Sequence, residues 1–359
     1  MAAPDKLRIG IIGIGSIAFV PHAPAIRATG RAELVAISRR NPEALAQAKA
    51  VLGVPGAYTD WADLLQHSRL DAVVVATSHS SHAAPTITAL EMGLPVLVEK
   101  PMATTSEDAW AMVRAAERAR QTLMVGYGSR LRGLWRIAKR LLDEGAIGTV
   151  EQVALAYGQG WRWMTEGASI PAAMREQARQ LGIPAFEPAS MGTYWRRDPK
   201  QMGGGHFADA GSHMSDLVLW LGGAPATTVV AFSEPKGRPQ ERYISATARL
   251  ANGVIATVTG SNGTDMPARL TAMGDGGSLT SAASQRGGFE LWLERGGKRE
   301  LVTPDYPDLS PVAAFVAAVL DSAPNLSPAE DAAHVVEFTE AAYRSALEER
   351  LVRIEPREA

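Results

Sequence analysis

The chain has 359 residues, 46% of them hydrophobic and 21% charged, with a formal net charge of −2 and no cysteine. That length suits two domains with sizeable cores, and the charge balance argues against a basic nucleic-acid face, a disordered acidic tail or a cationic membrane surface. Without cysteine there can be no disulfide, thiolate nucleophile or thiolate metal site.

The opening segment, MAAPDKLRIGIIGIGSIA, reads as neither a signal peptide nor a membrane span because glycines interrupt its apolar run. A cytoplasmic location and a small-molecule partner are therefore expected, with no nucleic acid and no membrane. Residues 7–12 form a short apolar strand that runs into Gly13, Gly15 and Ala18, spaced G-x-G-x-x-A. Such a turn suits a dinucleotide: the first glycine allows a tight bend, the second lets the backbone approach a pyrophosphate, and the small third residue packs helix on strand. Gly13, Gly15, Ser16 and Ile17 are the expected phosphate-side residues. Glycine turns of this kind also occur in unrelated loops, so the context decides.

That context is a strand–helix alternation. Ala32 to Ser38 is a second buried strand, and NPEALAQAKAVLG is a helix with Asn41 as N-cap, Pro42 at its first position and Gly53 as its stop. The strand DAVVVAT ends at Thr77; a helix closed by Gly93, the strand LPVLVEK and a helix with a Thr104–Glu107 capping box follow, then the strand TLMVGYG. Continuous Val/Ile/Leu strands between amphipathic helices predict a doubly wound parallel α/β sheet, a Rossmann domain over residues 1–127. The tip of the second strand carries Ser38, Arg39 and Arg40 and no carboxylate. A hydroxyl with two guanidinium groups suits a ribose 2′-phosphate better than free ribose hydroxyls, which favours NADP over NAD.

Beyond residue 145 the pattern changes to strands joined by turns, with Asn252-Gly253 the strongest hairpin signal. Residues 128–359 are therefore expected to form an α+β domain with a large, open, mostly antiparallel sheet, ending in an alanine-rich helical segment at 310–349. Its exposed face makes a homo-oligomer, dimer or tetramer, the expected assembly. Within this domain, GGGHFADAGSHMSD precedes an amphipathic helix. Asp209, His213 and Asp216 are spaced by four and three residues, which on a helix puts them on one face. They could equally be a surface acid–base pair of little energetic weight.

GIIGIGSIA, VEKP at 98–101 and GGGHFADAGSHMSD together resemble the Gfo/Idh/MocA family of NAD(P)-dependent oxidoreductases, with HAPAI and TSHSSH in support. The likeness covers nearly the whole chain. It implies a Rossmann domain followed by an open-sheet domain, with the active site between them and a sugar, sugar derivative or cyclic polyol as substrate. It implies Lys100 on the reacting hydroxyl and beside the nicotinamide, His213 as general acid/base, and Asp209 as a substrate-binding support for the pair. A neutral imidazole can take the hydroxyl proton near neutral pH, and an ammonium can steady the developing alkoxide. Thr77, His79, His82 and Glu99 join the cofactor set. Tyr127, Arg130, Trp195 and Arg196 join Lys100, Asp209 and His213 in the substrate set. Ser78 and His79 stand where many members have proline and asparagine, and Gly128 replaces a larger polar residue. Trp161, Trp163 and Trp195, in a long segment at 160–201, are candidate pocket walls, or packing in an oligomer interface or within that loop. No metal is expected. Two other readings share the fold: a redox-neutral NAD-dependent glycosidase and a non-catalytic dinucleotide sensor.

Overall fold

The computed structural model describes residues 6–161, 195–236, 240–283 and 288–355. Six strands, β1 (Leu7–Ile12), β2 (Ala32–Ser38), β3 (Gly56–Tyr58), β4 (Ala72–Val75), β5 (Val96–Val98) and β6 (Leu123–Val125), form one wholly parallel sheet in the order β3-β2-β1-β4-β5-β6. Ile9, Ile11, Val73, Val74, Val75, Val96 and Val98 are all completely buried, as a sheet covered on both faces requires. Strand β3 has three residues and no apolar alternation, and the sequence pattern misses it. The order reverses between β1 and β4, so a crevice opens at their C-terminal ends, where doubly wound sheets hold ligands.

Helix Pro42–Leu52 begins as expected: Asn41 Oδ1 accepts from Ala44 N at 2.9 Å, and Gly53 closes the helix in the left-handed conformation. Helix Ser106–Ala119 is capped one residue later than the expected box. Thr105, not Thr104, accepts from Asp108 N; the backbone of Gly203 in the second domain passes close to Thr104, where a Cβ on that glycine would lie 3.0 Å from the threonine side chain.

The second sheet has nine strands: β7 (Val150–Gly158), β8 (Ala226–Glu234), β9 (Tyr243–Leu250), β10 (Ile255–Ser261), β11 (Met266–Gly274), β12 (Gly277–Ala283), β13 (Phe289–Arg295), β14 (Lys298–Val302) and β15 (Val352–Arg353). Their order is β14-β13-β12-β11-β7-β10-β9-β8-β15, antiparallel throughout except for β7 beside β10. The Asn252-Gly253 hairpin joins β9 to β10, with Gly253 at φ 92°. Helices His206–Gly222 and Ala329–Glu348 cover one face, with Val153, Leu155, Ala246, Val258 and Leu270 beneath them in the core.

The C-terminal helices tie the two sheets together. Val312, Phe315 and Val316 of helix Pro311–Asp321 share a core with Ile9, Ile11 and Leu34 of the first sheet. Helix Ala329–Glu348 packs against both helix Ser106–Ala119 and β8, and Trp110 Nε1 donates to Glu337 Oε1 at 2.8 Å. Arg130, on the loop after β6, adds a clamp. Its Nε and Nη2 donate to the carboxylate of Asp216 on helix His206–Gly222 at 2.7–3.0 Å, and its Nη1 reaches Asp331. Arg130 and Asp216 are 2% and 0% exposed, so removing one leaves the other charged and dry. Replacing Arg130 with Met is expected to cost about 3–5 kcal/mol in denaturant unfolding, and adding Asp216→Leu should recover most of that loss.

Candidate active site

A cleft of about 870 Å³ runs from the β1–β4 crevice to helix His206–Gly222. Its inner end is built by the first turn after β1. Gly13 has φ +89°, and a Cβ there would meet the Ala76 backbone at 2.8 Å, so only glycine makes this bend. A Cβ on Gly15 would instead point into open space. Ser16, Ile17, Ser38, Arg39, Arg40 and Thr77 line this end. Arg39 Nη1 donates to Ile14 O at 3.3 Å, and burial pulls the Arg39 pKa below its ordinary value; Arg40 is exposed. Thr59 and Trp61 also face the cleft, and sequence reasoning missed them because they follow the unrecognised β3.

The other end holds charge. Lys100 Nζ donates to Asp209 Oδ1 at 2.7 Å and to Asp209 O at 3.3 Å, while Arg196 Nε donates to Asp209 Oδ2 at 2.7 Å. Asp209 is completely buried. Burial alone would raise its pKa, but Lys100 and then Arg196 outweigh burial and hold it well below the usual carboxylate range. Both carboxylate oxygens are engaged, so Asp209 sits behind Lys100 and Arg196 and orients them. Glu99 Oε1 lies 2.7 Å from His22 Nε2, and Oε2 accepts from Lys100 N. Burial opposes ionisation there too, yet the His22 bond pulls Glu99 down to about 2.

The histidines of the cleft are neutral. His213 faces it from one turn beyond Asp209, with the ring of Tyr127 edge-on behind it at 5.9 Å. Burial, and then Lys100, push His213 down to about 3, and its Nδ1 has no hydrogen-bond partner among the described residues. His79 directs Nδ1 at Met202 O at 3.0 Å, leaving Nε2 3.8 Å from Asp209 Oδ1; burial pushes it to about 3. Trp195 stands edge-on to His79 at 4.5 Å. His82, wholly buried, is set between Pro101 O and Thr77 O.

Most of the expected residues meet here: the whole cofactor set, with Lys100, Trp195, Arg196, Asp209 and His213 of the substrate set, borders this one cleft. Trp161 borders it as well; Trp163 lies outside the described residues. Tyr127 and Arg130 do not reach the cleft. Tyr127 is buried behind His213, and Arg130 is occupied by Asp216 and Asp331. Asp216 likewise turns from the site to that clamp. Among the described residues no group of histidines and acids is arranged to hold a metal ion.

The helix carrying Asp209 and His213 begins at His206, earlier than the expected amphipathic run. Gly205, its N-cap, offers no side chain. Instead Glu241 Oε1 accepts from Phe207 N at 2.6 Å, and Tyr343 Oη accepts from Gly205 N and Ala208 N. Tyr343 fits there because Gly204 is glycine, at φ +141°; a Cβ would lie 2.5 Å from the ring. Neither cap was legible in the sequence, since both lie far along the chain.

The profile described as "Oxidoreductase family, NAD-binding Rossmann fold" matches residues 7–127, and that described as "GFO/IDH/MocA C-terminal domain" matches residues 135–280. The chain belongs to the Gfo/Idh/MocA oxidoreductase family. It is 30% identical over 256 residues to a 1-carboxy-3-chloro-3,4-dihydroxycyclohexa-1,5-diene dehydrogenase of Comamonas testosteroni, covering 70% of this chain and 57% of the relative. It is 28% identical over 228 residues to a levoglucosan dehydrogenase of Pseudarthrobacter phenanthrenivorans, covering 62% and 57%. The chain thus spans less than two thirds of the length of these curated relatives. Among solved structures, a levoglucosan dehydrogenase in complex with NADH and levoglucosan superposes with a TM-score of 0.79 at 22% identity, covering 98% of this chain and 100% of the other, a likeness of fold.

The neutral histidines set the acid stability of a Gfo/Idh/MocA chain built this way. His79, His206 and His213 have folded pKa values of about 3, 4 and 3 against an ordinary 6.5. Below pH 6.5 the unfolded chain takes up protons that the folded chain refuses, so stability is full above that pH and falls as pH drops toward the folded values. Denaturant unfolding at pH 5 should show a loss of about 2 kcal/mol per histidine relative to pH 8.

Proposed function

We propose that this protein transfers hydride between a nicotinamide dinucleotide, NADP in preference to NAD, and a secondary alcohol or ketone of a sugar, sugar derivative or cyclic polyol. One observation carries this reading: the Lys100 ammonium and the His213 imidazole line the same cleft as the glycine turn. The residues fit the cofactor. The turn leaves open space over Gly15 where a Cβ would project, and Ser38, Arg39 and Arg40 stand at the tip of β2. The relatives named above are dehydrogenases of a sugar anhydride and of a cyclic diol, which supports the substrate class.

The bound dinucleotide supplies the hydride acceptor or donor. Two of the three N–H groups of Lys100 go to Asp209. The third is left to bond the reacting oxygen and stabilise its developing charge in a partly dry site. His213, neutral at physiological pH, accepts the hydroxyl proton during oxidation and returns it during reduction. Asp209 holds Lys100 in place and does not itself take the proton. Trp195 and Trp161 offer apolar faces for the CH side of a ring.

NAD(P)H absorbance with a panel of pyranoses, anhydrosugars, inositols and keto-sugars tests this. Lys100→Met and His213→Asn should each lower kcat by roughly 10²–10⁴ while dinucleotide binding persists. Dinucleotide binding without turnover of any of these compounds would favour the redox-neutral glycosidase or the sensor. Removing one charge from the dinucleotide end, as Arg40→Ala, should raise the KM for NADP⁺ about 10–100-fold and the KM for NAD⁺ by less than about threefold. A wild-type preference for NAD⁺ would refute the cofactor choice.

A further inference from the structure

The Lys100–Asp209–Arg196 cluster holds more hydrogen-bond donors than Asp209 can accept. Asp209 contributes one negative charge, and both of its oxygens are spent on the two cations. Glu99 is turned to His22 and to the Lys100 main chain. Asp198, at the cleft edge, accepts from Lys200 N and Gln201 Nε2. His79 and His213 are neutral.

Arg196 presents the unused donors. Nε uses one of its five N–H groups, and Nη1 and Nη2 have no hydrogen-bond partner among the described residues. The guanidinium centre lies 4.2 Å from the Trp195 ring centroid, and the side chain is 13% exposed at the cleft wall. Asp209 fixes one edge of the plane and Trp195 supports it, so the remaining edge is a pre-set fork in a partly desolvated place. A planar fork of this kind bonds a carboxylate through two parallel N–H···O contacts. Because Arg196 and Lys100 are held by the two oxygens of one carboxylate, such a group would belong to the same small molecule as the carbinol at Lys100. Glu99 and Asp198 keep their own negative charges in the same cleft, which disfavours a doubly charged phosphate more than a singly charged carboxylate.

We propose that the substrate is a sugar acid or a carboxylated cyclic polyol, and that Arg196 is the residue that recognises its carboxylate. This deepens, and rests on, the oxidoreductase reading of the same cleft.

The test uses matched pairs that differ only in the carboxylate, such as glucose and glucuronate, galactose and galacturonate, and a cyclohexanediol and its carboxylic acid, with glucose 6-phosphate as a second anion. Steady-state kinetics measures turnover, and calorimetry on the protein–NADPH complex measures binding independently. The wild type should prefer at least one acid over its neutral partner by about 10–100-fold in kcat/KM. Arg196→Gln should collapse that ratio, chiefly through KM, and Arg196→Lys should restore part of it. Equal losses for acid and neutral partner would assign Arg196 only to holding Asp209 and would overturn the proposal. So would a wild type that, in both assays, favours the neutral partners or the sugar phosphate. Carboxylate binding that vanishes in Arg196→Gln, with no turnover of any compound, would sink the oxidoreductase reading and leave the carboxylate site standing.

Discussion

One buried carboxylate organises this site. Asp209, wholly out of water, would be expensive to ionise alone, and Lys100 and Arg196 make its charge tenable. The dependence is mutual. Lys100 comes from the strand-end loop of the first sheet, Arg196 from the segment before helix His206–Gly222, and Asp209 from that helix. Where these three meet, the nucleotide end of the cleft is joined to the substrate end. Losing the carboxylate would leave two neighbouring cations to repel one another.

The same burial that makes Asp209 costly keeps the nearby imidazoles uncharged. His213 and His79 lie in a place where two positive groups are already fixed and little water screens them. A third positive charge is disfavoured, so His213 rests as a base. The Arg130–Asp216–Asp331 clamp, two turns of the same helix away from Asp209, repeats the arrangement of opposite charges at a place that never meets the cleft. It fixes the helix; the Asp209 cluster fixes the chemistry.

Much of this was legible in the residues themselves. The parallel sheet followed from Val/Ile runs that alternate with capped helices, the glycine turn from its spacing, and the shared helix face of Asp209 and His213 from their step of four; Lys100 and the roles of all three came from the resemblance to the Gfo/Idh/MocA family. What was not legible had distant or short-range causes. Strand β3 is too short for periodicity. The helix Ser106–Ala119 is capped by Thr105 and not Thr104, a one-residue shift that the spacing of two adjacent threonines does not reveal. Arg130 lies near the pocket motifs in sequence, and only the fold reveals Asp216 and Asp331 around it. Glu241 and Tyr343 carry no local sign that they cap the helix of the site.

Those distant caps bear on how the protein acquires its site. The helix that holds Asp209 and His213 starts at a glycine, with no local side chain to stabilise its first turn. Its exposed amides are satisfied by Glu241, from the loop between β8 and β9, and by Tyr343, from the last long helix. Both partners are synthesised after the helix itself. During translation the six strands of the first sheet can therefore be made while the first turn of this helix still lacks its lid, and the site is assembled only when the C-terminal helices have folded back on both sheets. Closing contacts of such long sequence separation costs chain entropy before any stabilisation is returned, so competence arrives late in folding.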